Sequence, residues 1–338
     1  MLKYLRKEIR DLKAYEVKER DYVVKLDANE GIDWLDGLNR YPVDRSDALR
    51  TELARQLGKL PEELVLGNGS SELIELVFKA YLEAGETVAS FSPTFTMYKI
   101  FTMIHKGRYV EMPLTDMQTL DVARFIDFCN AHRAKVVIIG NPNNPTGTVL
   151  SHEEIESIVK GVDAMVIIDE AYIEFSDLPV TEKTREYPNS LVLRTFSKAY
   201  GLAGIRLGYM IAHEEVVDYI NRVRSPYNLN VLTQAVGLKA LESPQSAQKN
   251  IEAVKKERER MTVALKEKGF SPLPSQANFL FFPAKRGLYR YLEERGVLIR
   301  GFGGALEGYY RLTIGTREEN DVVLKTIEEA QNARSQNR

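Results

Sequence analysis

Cysteine is almost missing from this chain: Cys129 is the only one in 338 residues. A lone thiol can neither close an internal disulfide nor build a thiolate metal cluster, so a reducing compartment such as the cytoplasm is the expected home. An excess of charge of one sign is missing too. The 46 basic and 48 acidic residues leave a formal net charge of -2. No global field is available to hold a nucleic-acid backbone or an anionic membrane, and neither is expected as a partner. The opening stretch MLKYLRKEIRDLK keeps interrupting its apolar residues with charge, which suits neither the apolar core of a signal peptide nor a spanning helix. The four histidines, His105, His132, His152 and His213, lack metal-ligand spacing, and no metal is expected. A G-x-G-x-x-G after a strand is also absent. GFGG at 301 to 304 has the wrong spacing and reads as a turn, which argues against a dinucleotide enzyme.

What is present is an ordinary globular balance, 44% hydrophobic and 28% charged, on a chain long enough for two domains. From about Leu64, short apolar runs alternate with helical stretches, the pattern of an α/β fold whose mostly parallel sheet is covered by helices. The runs Val136 to Ile139, Met165 to Ile168 and Leu191 to Leu193 are continuous and rich in β-branched residues, as strands buried on both faces should be. Leu73, Ile74, Val77, Phe78, Tyr81 and Leu82 recur at helical spacing and predict an amphipathic helix after Gly69. Beyond about residue 240 a long charged helix, Ile251 to Lys268, precedes short strands around Asn278 to Phe282 and Tyr309 to Ile314, the texture of a second, smaller domain. Ser243-Pro244 is the expected boundary, and KKERER at 255 to 260 reads as a solvated helix face.

Open α/β sheets bind ligands beyond the carboxyl ends of their strands, and four polar clusters stand at such ends. LGNGSSE, residues 66 to 72, places Ser70 and Ser71 at the start of a helix, whose free N–H groups and dipole favour an anion; a plain N-cap accounts for the same residues. NPNNPTG, residues 141 to 147, is a turn whose asparagines, Asn144 among them, stand at a strand end where a ligand is within hydrogen-bonding reach. DEAY, residues 169 to 172, puts Asp169 deep in the crevice, where a carboxylate is costly unless a cation or a proton donor meets it; helix capping or a structural ion pair is the plain alternative. TFSKAYGLAGIRLGY, residues 195 to 209, sets Lys198 between hydroxyls and eight residues ahead of Arg206. Hydroxyls and a guanidinium bind phosphate, and a desolvated lysine loses its proton and becomes nucleophilic, so this cluster suits a phosphate-bearing cofactor attached to an amine.

These clusters, in this order, resemble the fold-type I pyridoxal-phosphate aminotransferases over nearly the whole chain. LDANE (26 to 30), NRYP (39 to 42) and SPTFTMY (92 to 98) resemble the narrower histidinol-phosphate aminotransferase group. The resemblance implies a large domain with a seven-stranded, mostly parallel sheet over residues 36–240, a smaller α+β domain over 241–338, and an N-terminal arm over 1–35 that joins the small domain in part. It implies pyridoxal 5'-phosphate as cofactor, with Lys198 as its covalent anchor and proton carrier, Asp169 at the ring nitrogen, Asn144 and Tyr172 at the ring's 3' oxygen, and Phe95 on the ring face. Ser70, Ser71, Ser197 and Arg206 would hold the cofactor phosphate, joined by Tyr41 from the neighbouring subunit of a homodimer with shared active sites. Arg311 would grip the substrate's anionic group, and Tyr15, Asn29 and Arg300 would line the substrate pocket. Phe95 replaces the tyrosine of many relatives, and LDANEGID lacks the usual proline after this motif.

The activity so implied moves an amino group between glutamate and imidazole-acetol phosphate, with histidinol phosphate and 2-oxoglutarate as the other pair. Threonine-phosphate decarboxylation and a general or aromatic aminotransferase are rivals on the same scaffold. A non-catalytic regulator is disfavoured by the intact Lys198, Asp169 and Arg206.

Overall fold

The computed structural model describes residues 3–15, 21–178 and 187–336. Seven strands form the main sheet: β1 (Leu64–Asn68), β2 (Thr87–Ser92), β3 (Arg108–Pro113), β4 (Ala134–Gly140), β5 (Met165–Asp169), β6 (Ser190–Thr195) and β7 (Leu207–Ala212), in the order β1-β7-β6-β5-β4-β2-β3. All run parallel except β7, which is antiparallel to both β1 and β6.

The uninterrupted apolar runs follow from burial on both faces. In β4, Val137 and Ile139 face one core layer and Val136 and Ile138 the other; in β5, Val166 and Ile168 oppose Met165 and Ile167 in the same way. Successive side chains of a strand point to opposite faces, so a strand covered on both sides has no polar alternate. The stripe after Gly69 forms the helix Gly69–Tyr81, with Leu82 as the residue that caps it. Tyr4, Leu5 and Ile9 pack into the same layer as this helix and the helix Glu214–Val223.

The smaller sheet is antiparallel, ordered β8 (Phe279–Pro283), β10 (Tyr309–Thr313) and β9 (Arg300–Gly301). Met261, Leu265, Leu280, Phe282, Leu312 and Ile327 form its core with the flanking helices. A small cluster of Tyr172, Phe175, Ala199 and Phe279 spans the space between the two sheets.

Three expectations are corrected here. The long helix starts at Pro244 and not at residue 251; proline at the first helical position loses no hydrogen bond, so it can open the helix. GFGG is more than a turn, because Gly301 belongs to β9 and pairs with Tyr310. KKERER is not a wholly solvated face: Arg258 is buried and donates to the carbonyls of Phe175 (3.0 Å) and Ala277 (2.9 Å).

Candidate functional site

One cavity opens at the carboxyl ends of β4, β5 and β6, and ten of the expected site residues line it. Ser70, Ser71 and Phe95 come from the first half of the large sheet's connections, Asn144, Asp169 and Tyr172 from the ends of β4 and β5, and Ser197, Lys198 and Arg206 from the link between β6 and β7. Arg311 reaches in from β10.

The anion end is built by close approach of backbone. Gly69 opens the helix at φ +78°, and a Cβ there would lie 2.7 Å from Arg206 Nη2. Gly208 of β7 faces the same helix start, where a Cβ would meet the Ser70 nitrogen at 2.5 Å. Only glycine at both positions lets the helix N-terminus, its two serines and the guanidinium crowd together. Arg206 also donates to the Ser197 hydroxyl at 3.4 Å.

At the deep end, Asp169 is buried, and burial raises its carboxyl above the ordinary range. Two donors oppose that rise: the Tyr98 hydroxyl donates to Oδ2 at 2.7 Å and the Ala171 amide to Oδ1 at 3.1 Å. These meet the requirement that a deep carboxylate have a partner. Lys198 lines the same cavity, its Nζ 5.4 Å from the centre of the Tyr172 ring. Burial first, then the charges of Arg311 and Arg206, hold its ammonium below the usual lysine range. Burial pushes the Tyr172 hydroxyl up to about 12, so it remains a phenol.

Opposite them, Asn144 offers its Oδ1 to Arg311 Nη1 and its amide to the Tyr172 hydroxyl at 3.4 Å. Arg311 Nε is buried with no hydrogen-bond partner among the described residues. Three cations, Lys198, Arg206 and Arg311, thus face a cavity with one carboxylate, Asp169. Such a space favours a ligand carrying negative charge at more than one place.

Four expected residues lie elsewhere in this single chain. Tyr15, Asn29 and Arg300 are exposed, and Tyr41 stacks on Tyr227 at 4.7 Å between ring centres. Arg300 stands directly opposite Arg311 across β9 and β10. Tyr98 is the residue that reasoning from sequence passed over. Its only signal was position, three residues beyond Phe95 in SPTFTMY, hence on the same side of the chain as the helix Met97–Ile104 begins.

A profile of the aminotransferase class I and II family matches residues 19–327. The histidinol-phosphate aminotransferase of Thermoanaerobacter pseudethanolicus is 37% identical, covering 96% of this chain and 98% of that protein. That of Pyrococcus furiosus is 39% identical, covering 95% and 96%. Among solved structures, the histidinol-phosphate aminotransferase of Sinorhizobium meliloti in complex with pyridoxal-5'-phosphate superposes with a TM-score of 0.79 at 25% identity, covering 85% of this chain and 82% of that one.

Proposed function

Since the chain belongs to the class I and II aminotransferase family, we propose that it exchanges the amino group of glutamate for the carbonyl of imidazole-acetol phosphate, giving histidinol phosphate and 2-oxoglutarate, with pyridoxal 5'-phosphate as cofactor. The observation that carries this reading is the meeting in one cavity of Lys198, with its depressed ammonium, the Asp169 carboxylate and the anion end formed by Ser70, Ser197 and Arg206. Arg311 Nε, without a hydrogen-bond partner among the described residues, and the surplus of cations fit a cofactor and a substrate that each bear anionic groups.

When bound, the cofactor supplies an aldehyde to take up the amino group and a ring that accepts the electron pair left at the substrate's α-carbon. The chain supplies the rest. Lys198 would be the amine that holds the cofactor and the base that carries the proton from the α-carbon, a task that suits a lysine whose ammonium is held below its usual range. Asp169 would present a carboxylate to the ring nitrogen and hold a proton there. Asn144 and Tyr172 would hydrogen-bond the ring oxygen, and Phe95 would cover the ring face. Ser70, Ser71, Ser197 and Arg206 hold the phosphate through hydroxyls, helix N–H groups and a guanidinium. Arg311 takes the substrate's anionic group, as a planar guanidinium does best.

The active unit we infer is a cytoplasmic homodimer in which Tyr41 completes the neighbouring phosphate site and Tyr15, Asn29 and Arg300 close the substrate pocket. Exposed Ile32 (94%) and Trp34 (86%) support that reading, since a second copy would cover them. The division into residues 1–35, 36–240 and 241–338 is kept as the domain proposal.

The test is product analysis: purified protein, cofactor, histidinol phosphate and 2-oxoglutarate should yield glutamate, and Lys198→Ala should yield none. Carbon dioxide from threonine phosphate without glutamate formation would replace this reading with the decarboxylase.

A further inference from the structure

We propose that Tyr98 is a positioning residue for the cofactor site, its hydroxyl holding the Asp169 carboxylate in place and its ring setting the angle of Phe95. The inference rests on the reading of the cavity as a pyridoxal-phosphate site and adds a residue that none of the four motif clusters contains.

Tyr98 is buried, lines the cavity and touches both groups expected to meet a cofactor ring. Its hydroxyl donates to Asp169 Oδ2 at 2.7 Å, and its ring meets that of Phe95 edge-on, 5.5 Å between centres and 86° between planes. One side chain therefore ties the in-plane partner, Asp169, to the stacking partner, Phe95. The helix Met97–Ile104 that carries it is itself anchored locally, since Thr102 Oγ1 donates to the Tyr98 carbonyl at 2.7 Å.

The direction of donation is settled by surroundings. Burial and the nearby Asp169 carboxylate hold the Tyr98 phenol protonated far above its ordinary range. It can only donate to an ionised partner. With Oδ2 held by Tyr98 and Oδ1 by the Ala171 amide, the carboxylate cannot turn freely, and its remaining lone pairs are left for a donor in the cavity. The other charged or titratable groups near Asp169 are Glu170 beside it in the chain, Lys198 across the cavity, and Tyr172 at the cavity wall. Glu170 opposes ionisation of Asp169 and Lys198 favours it, so the Tyr98 donor tips a carboxylate whose burial otherwise works against its charge.

Removing that hydroxyl while keeping the ring should make Asp169 easier to protonate. A carboxylate that has taken a proton no longer offers a charged partner to a protonated ring nitrogen, so cofactor binding should fail at a higher pH. The experiment is equilibrium binding of pyridoxal 5'-phosphate to the full-length apo-protein, followed by absorbance across an acid pH series, for wild type, Tyr98→Phe and Thr102→Val. A hydrogen bond to a charged group predicts an acid midpoint about one pH unit higher in Tyr98→Phe, with binding weaker by a factor that approaches about tenfold as pH falls below the wild-type midpoint. Thr102→Val removes the neighbouring hydrogen bond without touching Asp169 and should leave the midpoint in place. Thermal melts of all three proteins establish that each is folded. Equal midpoints for wild type and Tyr98→Phe overturn the assignment, as does an equal shift in Thr102→Val, which would mark a general loosening of the helix. If the wild type itself shows no saturable binding, the reading of the cavity falls and the Tyr98 assignment falls with it.

Discussion

Lys198 carries its charge poorly where it stands, being half-buried and facing two arginines across the cavity. Lys198→Arg keeps a cation and removes the nucleophile and base, because guanidinium holds its proton at any working pH. Amino transfer should fall about 10³-fold in a steady-state assay, while the thermal midpoint stays close to that of the parent. Retention of activity within tenfold would place the chemistry elsewhere. Glu174 carries the opposite problem: the residue is half-buried, yet its Oε2 is closed off without a hydrogen-bond partner among the described residues, and burial raises the carboxyl to about 7 against the pull of Arg194. A raised carboxyl favours the protonated, folded form, so its stabilising share is complete below the unfolded value near 4.5 and is lost as pH rises through about 7. Glu174→Gln should therefore remove a pH-dependent loss on the order of 3 kcal/mol, visible in urea melts at pH 5 and pH 8. An unchanged difference between the two pH values would show that Glu174 is not the group responsible. Lys198 and Asp169 were legible because each follows an apolar run and ends in polar company. Glu174 gave no such sign, since nothing in its neighbours along the chain tells that its carboxyl is shut in beside Arg194.

At the scale of elements, two joints decide whether the cavity exists. The first is the start of the helix Gly69–Tyr81 against β7. Gly69→Ala would need a left-handed alanine and would press a methyl onto Arg206 Nη2. Strain of about 1 to 3 kcal/mol is expected, together with weaker cofactor binding as Arg206 is pushed aside; a denaturant titration and a binding isotherm read the two separately, and parent-like values in both would count against this joint. The second joint is Arg258 on the helix Pro244–Glu267, which holds the carbonyls of Phe175 and Ala277 together, just beyond the DEAY segment and just before β8. Lys255 reinforces it with an ion pair to Asp177. Arg258→Met leaves two carbonyls unpaired and should cost about 3 kcal/mol in stability, as measured by chemical denaturation. The strands and the helix after Gly69 were readable because hydrophobic period reports the faces that will be buried. Arg258 was not, because a buried arginine inside KKERER has the same local pattern as a solvated one, and only the carbonyls of Phe175 and Ala277 distinguish it.

For the whole molecule, exposed apolar side chains recur among the described residues between Leu12 and Val43, Val23, Leu26, Ile32 and Trp34 among them, and a lone chain would leave them wet. Trp34 is the only tryptophan, so its fluorescence reports on that surface alone. Its emission should move to shorter wavelength as protein concentration rises, in step with a doubling of mass in sedimentation. A wavelength independent of concentration, with monomeric mass at tens of micromolar, would contradict the shared active site.

By itself the sequence determined the chemical groups and the elements that bear them: unbroken apolar runs for β4 and β5, period 3.6 for the helix after Gly69, and a lysine, an aspartate and serines at the strand ends. These are local properties, set by the residues within one or two turns of each position. Only the tertiary structure decided which groups meet: Tyr98 with Asp169 across 71 positions, Asn144 with Arg311 across 167, Arg258 with Phe175 across 83. Such pairs depend on how whole elements pack, and a hydroxyl or guanidinium carries no mark along the chain of whether packing will turn it toward water or toward a partner.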